Sequence, residues 1–263
     1  NVNWSKNKSK VLSLAEGITN LQLGSFQGGV TINATVGQPY GVIQGTDYTY
    51  LNGEKVVDAS NGQYVKTGTS DNVIGDTNPD WLMGISNSFK YKNFSLSFLI
   101  DIQKGGSIFS LDQYYGLATG LYAETSFTND LGNPVRNTIA NGGGFINPGV
   151  NANGNANTTR IRADRFGAFG YRRGLPNAAF VYDASFVKLR EVAITYNLTD
   201  KLLDKTFLTG GSISLTGSNL WIIHKNLPHA DPESGLSAGN LQGYSVGSLP
   251  TTRDFGFNVK LQF

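Results

Sequence analysis

Arg253-Asp254-Phe255-Gly256-Phe257-Asn258-Val259-Lys260-Leu261-Gln262-Phe263 closes the chain. Phe255, Phe257, Val259, Leu261 and Phe263 fall on odd positions; Asp254, Gly256, Asn258, Lys260 and Gln262 fall on even ones. A strand sends successive side chains to opposite faces, so the stretch predicts one wholly apolar face and one polar or small face. A helix would scatter the same residues around its circumference. Against a dry phase, each large side chain contributes about 1.5–3 kcal/mol. A slip of one residue would turn Asp254 and Lys260 into that phase, and a lysine at mid-bilayer costs about 2–4 kcal/mol. The pattern therefore sets the register as well as the element. An edge strand of a soluble sandwich alternates in the same way. This stretch, however, has the length of about 9–11 residues that a tilted membrane crossing needs. It also ends on an aromatic side chain.

Composition narrows the choice. Of 263 residues, 33 are Gly, well above the usual ~7%. Asn, Ser and Thr are also plentiful, which favours turns and long polar loops over helices. Charged residues make up 15%, against about 25% in an ordinary soluble domain. A surface that faces lipid needs less charge. A formal net charge of +2, with no long Lys/Arg run, gives no footprint for nucleic acid. The lack of cysteine excludes a disulfide scaffold, Cys-based zinc sites and thiol catalysis. No run approaches the roughly 18 apolar residues of a membrane helix, so a membrane protein of this sequence has to be a barrel. Asn1-Val2-Asn3-Trp4 is no signal peptide and starts in mid-pattern, as expected of a piece of something longer.

The clearest hairpin lies in the middle. Residues 81–91 carry Met83, Ile85, Phe89 and Tyr91 on one parity. Phe94, Leu96, Phe98, Ile100 and Ile102 share one face of the next strand, and only Lys92-Asn93 joins the two. Upstream, residues 1–5 read as a strand end, 30–36 alternate, and 40–50 are β-rich and punctuated by Gly. Asn52-Gly53 and Asn61-Gly62 signal tight turns. From 105 to 183 the pattern dissolves, and such length without periodicity is usually functional or disordered. In 185–198, Val187 and Leu189 share one parity while Val192, Ile194, Tyr196 and Leu198 share the other; a bulge near Arg190-Glu191 reconciles them. Residues 211–223 form another strand with Ile213, Leu215, Trp221 and Ile223 in phase. Connections alternate between short (92–93, 199–207) and long (105–183, 227–250). Tight periplasmic turns and long extracellular loops sort in this way in an outer-membrane barrel.

An ordered set of motifs then carries a resemblance. They are Val36-Gly37-Gln38-Pro39-Tyr40-Gly41-Val42-Ile43-Gln44-Gly45, Ile74-Gly75-Asp76-Thr77-Asn78-Pro79-Asp80-Trp81 and Lys104-Gly105-Gly106-Ser107-Ile108-Phe109. Phe186-Val187-Lys188-Leu189-Arg190-Glu191, Gly217-Ser218-Asn219-Leu220-Trp221, Asp231-Pro232-Glu233 and Leu249-Pro250-Thr251-Thr252-Arg253 follow. In this order the chain resembles the C-terminal part of a SusC/RagA-type TonB-dependent outer-membrane transporter. The resemblance implies an all-β fold, an antiparallel transmembrane barrel of 22 strands with a plugged lumen. Residues 1–263 would be its C-terminal portion and supply about six or seven strands. It implies import of oligosaccharides or peptides at the outer membrane of a Gram-negative bacterium, with a SusD-like surface lipoprotein as lid and the TonB complex as drive. The plug and remaining strands would come from another segment, because unpaired strand edges are not viable in lipid. No cofactor and no enzymatic activity is implied. A soluble, secreted all-β binding or adhesion module stays open as the alternative.

Catalytic motifs are poorly supported. Gly235-Leu236-Ser237-Ala238-Gly239 matches a nucleophile elbow in letters only, since no helical pattern and no histidine follow it. His224 and His229 lack a third metal ligand at sensible spacing. Asp71, Asp76, Asn78 and Asp80 could gather around Ca²⁺ but read better as turn formers. Gly167, Gly170 and Gly174 do not open a helix after a strand, so they are no dinucleotide fingerprint. The candidate ligand or lid contacts are Tyr114, Tyr115, Tyr122, Tyr171, Arg172 and Arg173, aromatic faces with polar neighbours inside the long loop. Trp81, Tyr91, Tyr196 and Trp221, near strand ends, are expected at the membrane interface. Phe255, Phe257, Val259, Leu261 and Phe263 are expected to form the assembly strand.

Overall fold

The computed structural model describes residues 1–263 except 165–168, 172–173, 205, 234 and 236–238. The chain runs β1 (Val2–Ser5), β2 (Asn20–Ser25), β3 (Thr31–Thr35), β4 (Tyr40–Gly45), β5 (Tyr50–Leu51), β6 (Glu54–Lys55) and β7 (Asn72–Asp76). Next come β8 (Pro79–Tyr91), β9 (Phe94–Gly105), β10 (Ser107–Ser110), helix α1 (Leu111–Thr119), β11 (Phe145–Ile146), β12 (Arg160–Ile161) and β13 (Val181–Asp183). The last are β14 (Phe186–Asn197), the single helical turn α2 (Asp200–Leu203), β15 (Gly210–Lys225), β16 (Tyr244–Ser245) and β17 (Asp254–Gln262).

Among the described residues, β1, β8, β9, β14, β15 and β17 form one six-stranded sheet in chain order, and every neighbouring pair is antiparallel. It is an up-and-down meander, the wall of a β-barrel. Its register places like with like. Phe89, Leu96, Ile194, Leu215 and Phe257 stand opposite one another across five strands. On the other face Lys90, Ser95, Thr195, Ser214 and Asn258 form the corresponding row. The Thr195 and Ser214 hydroxyls meet there at 2.8 Å.

The apolar face is bare. Phe255 is 81% exposed, Phe257 67% and Leu215 57%, so no second sheet covers these residues as a sandwich would require. Side chains of this kind have to meet hydrocarbon. Among the described residues no helix is long and apolar enough to cross a membrane.

Two irregularities were legible beforehand. The bulge between Leu189 and Glu191 shifts the register of β14 against both neighbours, which lets Val187 and Leu189 share a face with Val192, Ile194 and Tyr196. The turn at Lys92-Asn93 closes the β8–β9 hairpin with Lys92 at φ 52°. Other expectations need correction. The alternating residues of β3 are not part of the wall: Ile32, Asn33 and Ala34 are all buried. They lie in a separate sheet of order β2-β3-β4-β7 inside the β1–β8 connection. That connection is a third long loop, which the alternation of short and long links had not included. The described residues of 105–183 include β10, α1, β11, β12 and β13. Composition argued against helices, yet α1 is built by local capping. Ser110 accepts a hydrogen bond from the Gln113 amide, and Gly120 ends the helix at φ 72°.

A lysine placed on the lipid side of β17 should cost far more than one on the opposite side. In the full-length protein, Phe257→Lys is expected to lower unfolding free energy by about 2–4 kcal/mol, with Asn258→Lys within about 1 kcal/mol of wild type. Denaturant titration in detergent or lipid measures both, and equal effects would contradict the assigned faces.

Candidate functional site

The three long connections rise from one end of the wall and fold into a single lobe. Val30, Ile32 and Ile43 come from the first, Phe109, Leu111 and Phe180 from the second, and Tyr244 from the third. They share one core. Tyr244 is its keystone: its hydroxyl donates to the Val30 carbonyl at 2.8 Å, and its ring meets Phe109 edge-on at 5.9 Å. Burial pushes its hydroxyl pKa up. Gly105 and Gly106 turn the chain from β9 into the lobe at φ 75° and 82°. A Cβ on Gly105 would stand 2.5 Å from the Asp80 carboxylate, so glycine is required there.

The aromatic candidates separate into two groups. Tyr114 and Tyr171 stack on each other at 4.4 Å with an interplanar angle of 5°, and both pack against the lobe core. Tyr115 meets each of them edge-on, is 42% exposed, and donates through its hydroxyl to Gln27. Tyr122 sits apart, stacked on His229 at 4.1 Å. His229 Nε2 lies 2.6 Å from the Glu124 carboxylate. Backbone hydrogen bonding and the contact with His229 hold the Glu124 pKa below its usual value. Tyr115 and Tyr122 line a cavity of about 470 Å³ with Phe26, Leu121, Asp112 and Gln27. Aromatic walls with a carboxylate and an amide can hold a small polar ligand with apolar faces. Arg172 and Arg173 lie outside the described residues, as do Phe166, Gly167 and Leu236, Ser237 and Ala238.

The strand residues are placed as follows. Tyr91 ends β8, and Tyr196 lies opposite Phe94 at the same turn end, with rings 4.8 Å apart. Trp81 and Trp221 lie toward the lobe end, and Trp221 is opposite Leu189. Phe255, Phe257, Val259 and Leu261 are all on exposed β17, and Phe263 stacks on Phe207 at 5.6 Å. His224 sits on β15 opposite Val187. Asp76 builds a turn by accepting from the amide and side chain of Asn78.

The strongest electrostatic feature was not foreseen. Lys188 and Arg190 point inward from β14, beside Asp101 of β9. The third connection brings Asp231 and Glu233 down onto them. The Lys188 ammonium contacts both carboxylates, and Arg190 binds Glu233 and, through Nε and Nη2, Asp101 at 2.9 and 2.8 Å. The Lys188 side chain is 4% exposed and that of Asp231 1%. Asp231 also accepts from the Glu233 amide at 3.0 Å and the Thr251 hydroxyl at 3.1 Å. Burial alone would raise its pKa; Lys188, the Glu233 amide and Thr251 outweigh that and hold it below 3.8. Both halves of this cluster stand in the sequence as Lys188-Leu189-Arg190 and Asp231-Pro232-Glu233. The available signal was a Lys and an Arg on the same face of a strand, but nothing local says which acids meet them.

The segment 227–233 is thus clamped twice. Asp231 and Glu233 grip the wall, while His229 lies on Tyr122 of the lobe. Leu227 is buried against Ile108 and Ala184 between them.

No family model matches the chain. The chain is 27% identical to TonB-dependent receptor P3 of Formosa agariphila over 99% of its own length and 26% of that protein's. It is 24% identical to TonB-dependent receptor P26 of the same organism, over 92% of the chain and 22% of the relative. The chain resembles TonB-dependent receptors of the SusC/RagA type. It spans about a quarter of the curated receptors it matches. The structure of the RagAB peptide transporter superposes on all of this receptor-like chain with a TM-score of 0.65 at 16% identity, using 26% of its own chain. The RagAB peptide importer in its closed-closed state does so with a TM-score of 0.61 at 17% identity. At these identities the likeness establishes the fold: a strand meander with its loop lobe, as in a TonB-dependent receptor.

Breaking the buried cluster on one side should release the strap. Lys188→Met leaves Asp231 without its cation and Glu233 with Arg190 alone, and is expected to cost about 3–5 kcal/mol locally. Faster amide hydrogen exchange at 227–233 in the full-length protein reads this out, and Lys188→Met combined with Asp231→Leu should recover part of the loss. The pH dependence follows from the depressed carboxylate. Asp231 contributes stability above its ordinary value of 3.8, and this is lost as the pH falls through its lower folded value. Protection of 227–233 should therefore be flat from neutral pH down to about 4 and fall only below that.

Proposed function

We propose that residues 1–263 are the C-terminal portion of an outer-membrane, TonB-dependent importer of oligosaccharides or peptides in a Gram-negative bacterium. The portion supplies barrel wall, extracellular lobe and the C-terminal assembly strand. One observation carries the reading: a strand meander whose outer face is apolar and uncovered, whose inner face is lined by Ser, Thr, Asn and Lys, and whose long connections all gather at one end. Lipid explains the first property, a watery lumen the second, and an extracellular mouth the third. Among the described residues β1 and β17 each leave one edge unpaired, which supports a reading in which further strands come from the rest of the protein, and the family resemblance adds a plug to them. The lobe is the surface on which a SusD-like lipoprotein would close, and Tyr115 and Tyr122 line the cavity nearest to a ligand role. Trp81, Tyr91, Tyr196 and Trp221 serve as interface anchors in this reading, and the last strand, through Phe263, as the assembly end. Drive comes from the TonB complex through the plug. Chemistry at a catalytic residue has no part in it.

The test is uptake by a strain deleted for the full-length receptor. Such a strain should lose import of one class of oligosaccharide or peptide, and the wild-type gene should restore it only with TonB present. Tyr115→Ala with Tyr122→Ala should lower uptake several-fold at unchanged receptor level in the membrane. Recovery of the wild-type protein in buffer without detergent, or undiminished uptake in the deletion strain, would overturn the reading.

A further inference from the structure

The cavity of about 470 Å³ lies where all three long connections meet. The first gives it Phe26 and Gln27, the second Asp112, Tyr115 and Tyr122, and the third Gly247. Local contacts fix these positions. The Phe26 amide donates to the Tyr244 hydroxyl at 3.4 Å, and the two rings meet edge-on. Tyr122 lies against α1 because residue 116 is glycine, and a Cβ there would run into the ring.

The polar groups of the cavity are uneven in sign. Asp112, in the first turn of α1, accepts through Oδ2 from the buried Ser245 hydroxyl at 2.5 Å. Among the described residues its other oxygen, Oδ1, has no donor. A Cβ on Gly247 would stand 3.4 Å from Oδ1, so the glycine leaves that oxygen open. The Gln27 side-chain oxygen accepts from Tyr115, and among the described residues its amide nitrogen has no acceptor. None of the described residues lining the cavity is basic. Arg136 reaches the Gly120 carbonyl, next to Leu121 of the lining, and is held there and by the Thr125 carbonyl, each at 2.8 Å. The negative character is felt by Tyr122: burial first, then the carboxylates of Asp112 and Glu124, push its hydroxyl pKa up.

We propose that this cavity binds a primary ammonium group carried on a ligand with an apolar face, and discriminates against the same ligand once its amine is acylated. The proposal rests on the reading of the cavity as a ligand site of the lobe. The ammonium meets Asp112 Oδ1, a charge-assisted contact, and the apolar face lies on the rings of Tyr115 and Tyr122. Gln27 donates to a hydroxyl or carbonyl beside it. An anionic ligand sets a like charge against Asp112 with no described cation in the lining to offset it. Amino sugars and lysine side chains both carry the required chemistry.

The test titrates the full-length receptor, purified in detergent, with two matched pairs of probes in a calorimeter. One pair is a glucosamine disaccharide and its N-acetylated form; the other is a terminally blocked glycyl-lysyl-glycine and its Nε-acetyl form. Wild type should bind the ammonium member of at least one pair about tenfold tighter than its acetylated twin. The pair that shows the preference tells a saccharide source from a peptide one. Asp112→Asn, which keeps the shape of the side chain, should bring the ratio close to one, and raised salt should lower it. Thr119→Lys, which brings a cation of the protein's own to the lining, should also abolish the preference and serves if Asp112→Asn assembles poorly. Asp130→Asn, at a carboxylate paired with Arg160 outside the lining, should leave the ratio unchanged. A wild-type ratio near one for both pairs, or no binding of any of the four probes, would overturn the proposal. So would an unchanged ratio in the Asp112 and Thr119 variants, or an equal fall in the Asp130 control. If Tyr115→Ala with Tyr122→Ala lowers uptake while the ratio is one, only the charge selection fails; uptake indifferent to both rings sinks the ligand-site reading itself.

Discussion

Everything in this chain depends on one constraint, that a spanning strand must satisfy two solvents at once. Its backbone has to be paired laterally, because hydrocarbon offers no hydrogen bonds. Its side chains then alternate between oil and water with no intermediate choice. Antiparallel pairing turns that local alternation into a sheet property: the row Phe89, Leu96, Ile194, Leu215 and Phe257 exists because each strand keeps the same phase. The bulge at Leu189–Glu191 follows from the same requirement. Without the extra residue, Val192, Ile194 and Tyr196 would face the lumen, while Ala193 and Thr195 would face lipid.

The lobe solves a different problem. It is made from three connections, each of which contributes to one shared core around Phe109, Phe180 and Tyr244. Position over the wall is then set by charge. Lys188 is a buried cation on the inner face and Arg190 a half-buried one beside it, and a buried cation is tolerated only when paired and hydrogen-bonded. Asp231, Glu233 and Asp101 provide that pairing, and in doing so fasten the third connection to the wall. The same strap carries His229 onto Tyr122, so wall and lobe are joined through a few residues.

Elements governed by nearest neighbours were legible in the sequence. The hairpin at Lys92-Asn93, the phase of β15 and β17 and the bulge of β14 all follow from period-two patterns. The first long connection was hidden because its strands also alternate; Ile32 and Ala34 look like wall residues until both faces are seen to be buried. Helix α1 was hidden because nine residues are too few for a clear 3.6-residue period, although its Ser110-to-Gln113 cap and its Gly120 were in plain view. The aromatic residues of the long loop were picked out by type alone, and type does not tell a core ring such as Tyr114 from a more open one such as Tyr115.

Sequence alone determined which residues share a strand face and where the strands turn, because those properties are set by side-chain alternation within about ten residues. Tertiary structure decided which connections form the lobe, which rings become its core, and which carboxylates neutralise Lys188 and Arg190. These partners are more than forty positions apart for Lys188–Asp231 and Arg190–Glu233, and more than two hundred for Val30–Tyr244. A contact across such a distance is selected by the geometry of the whole fold, and no local pattern encodes it.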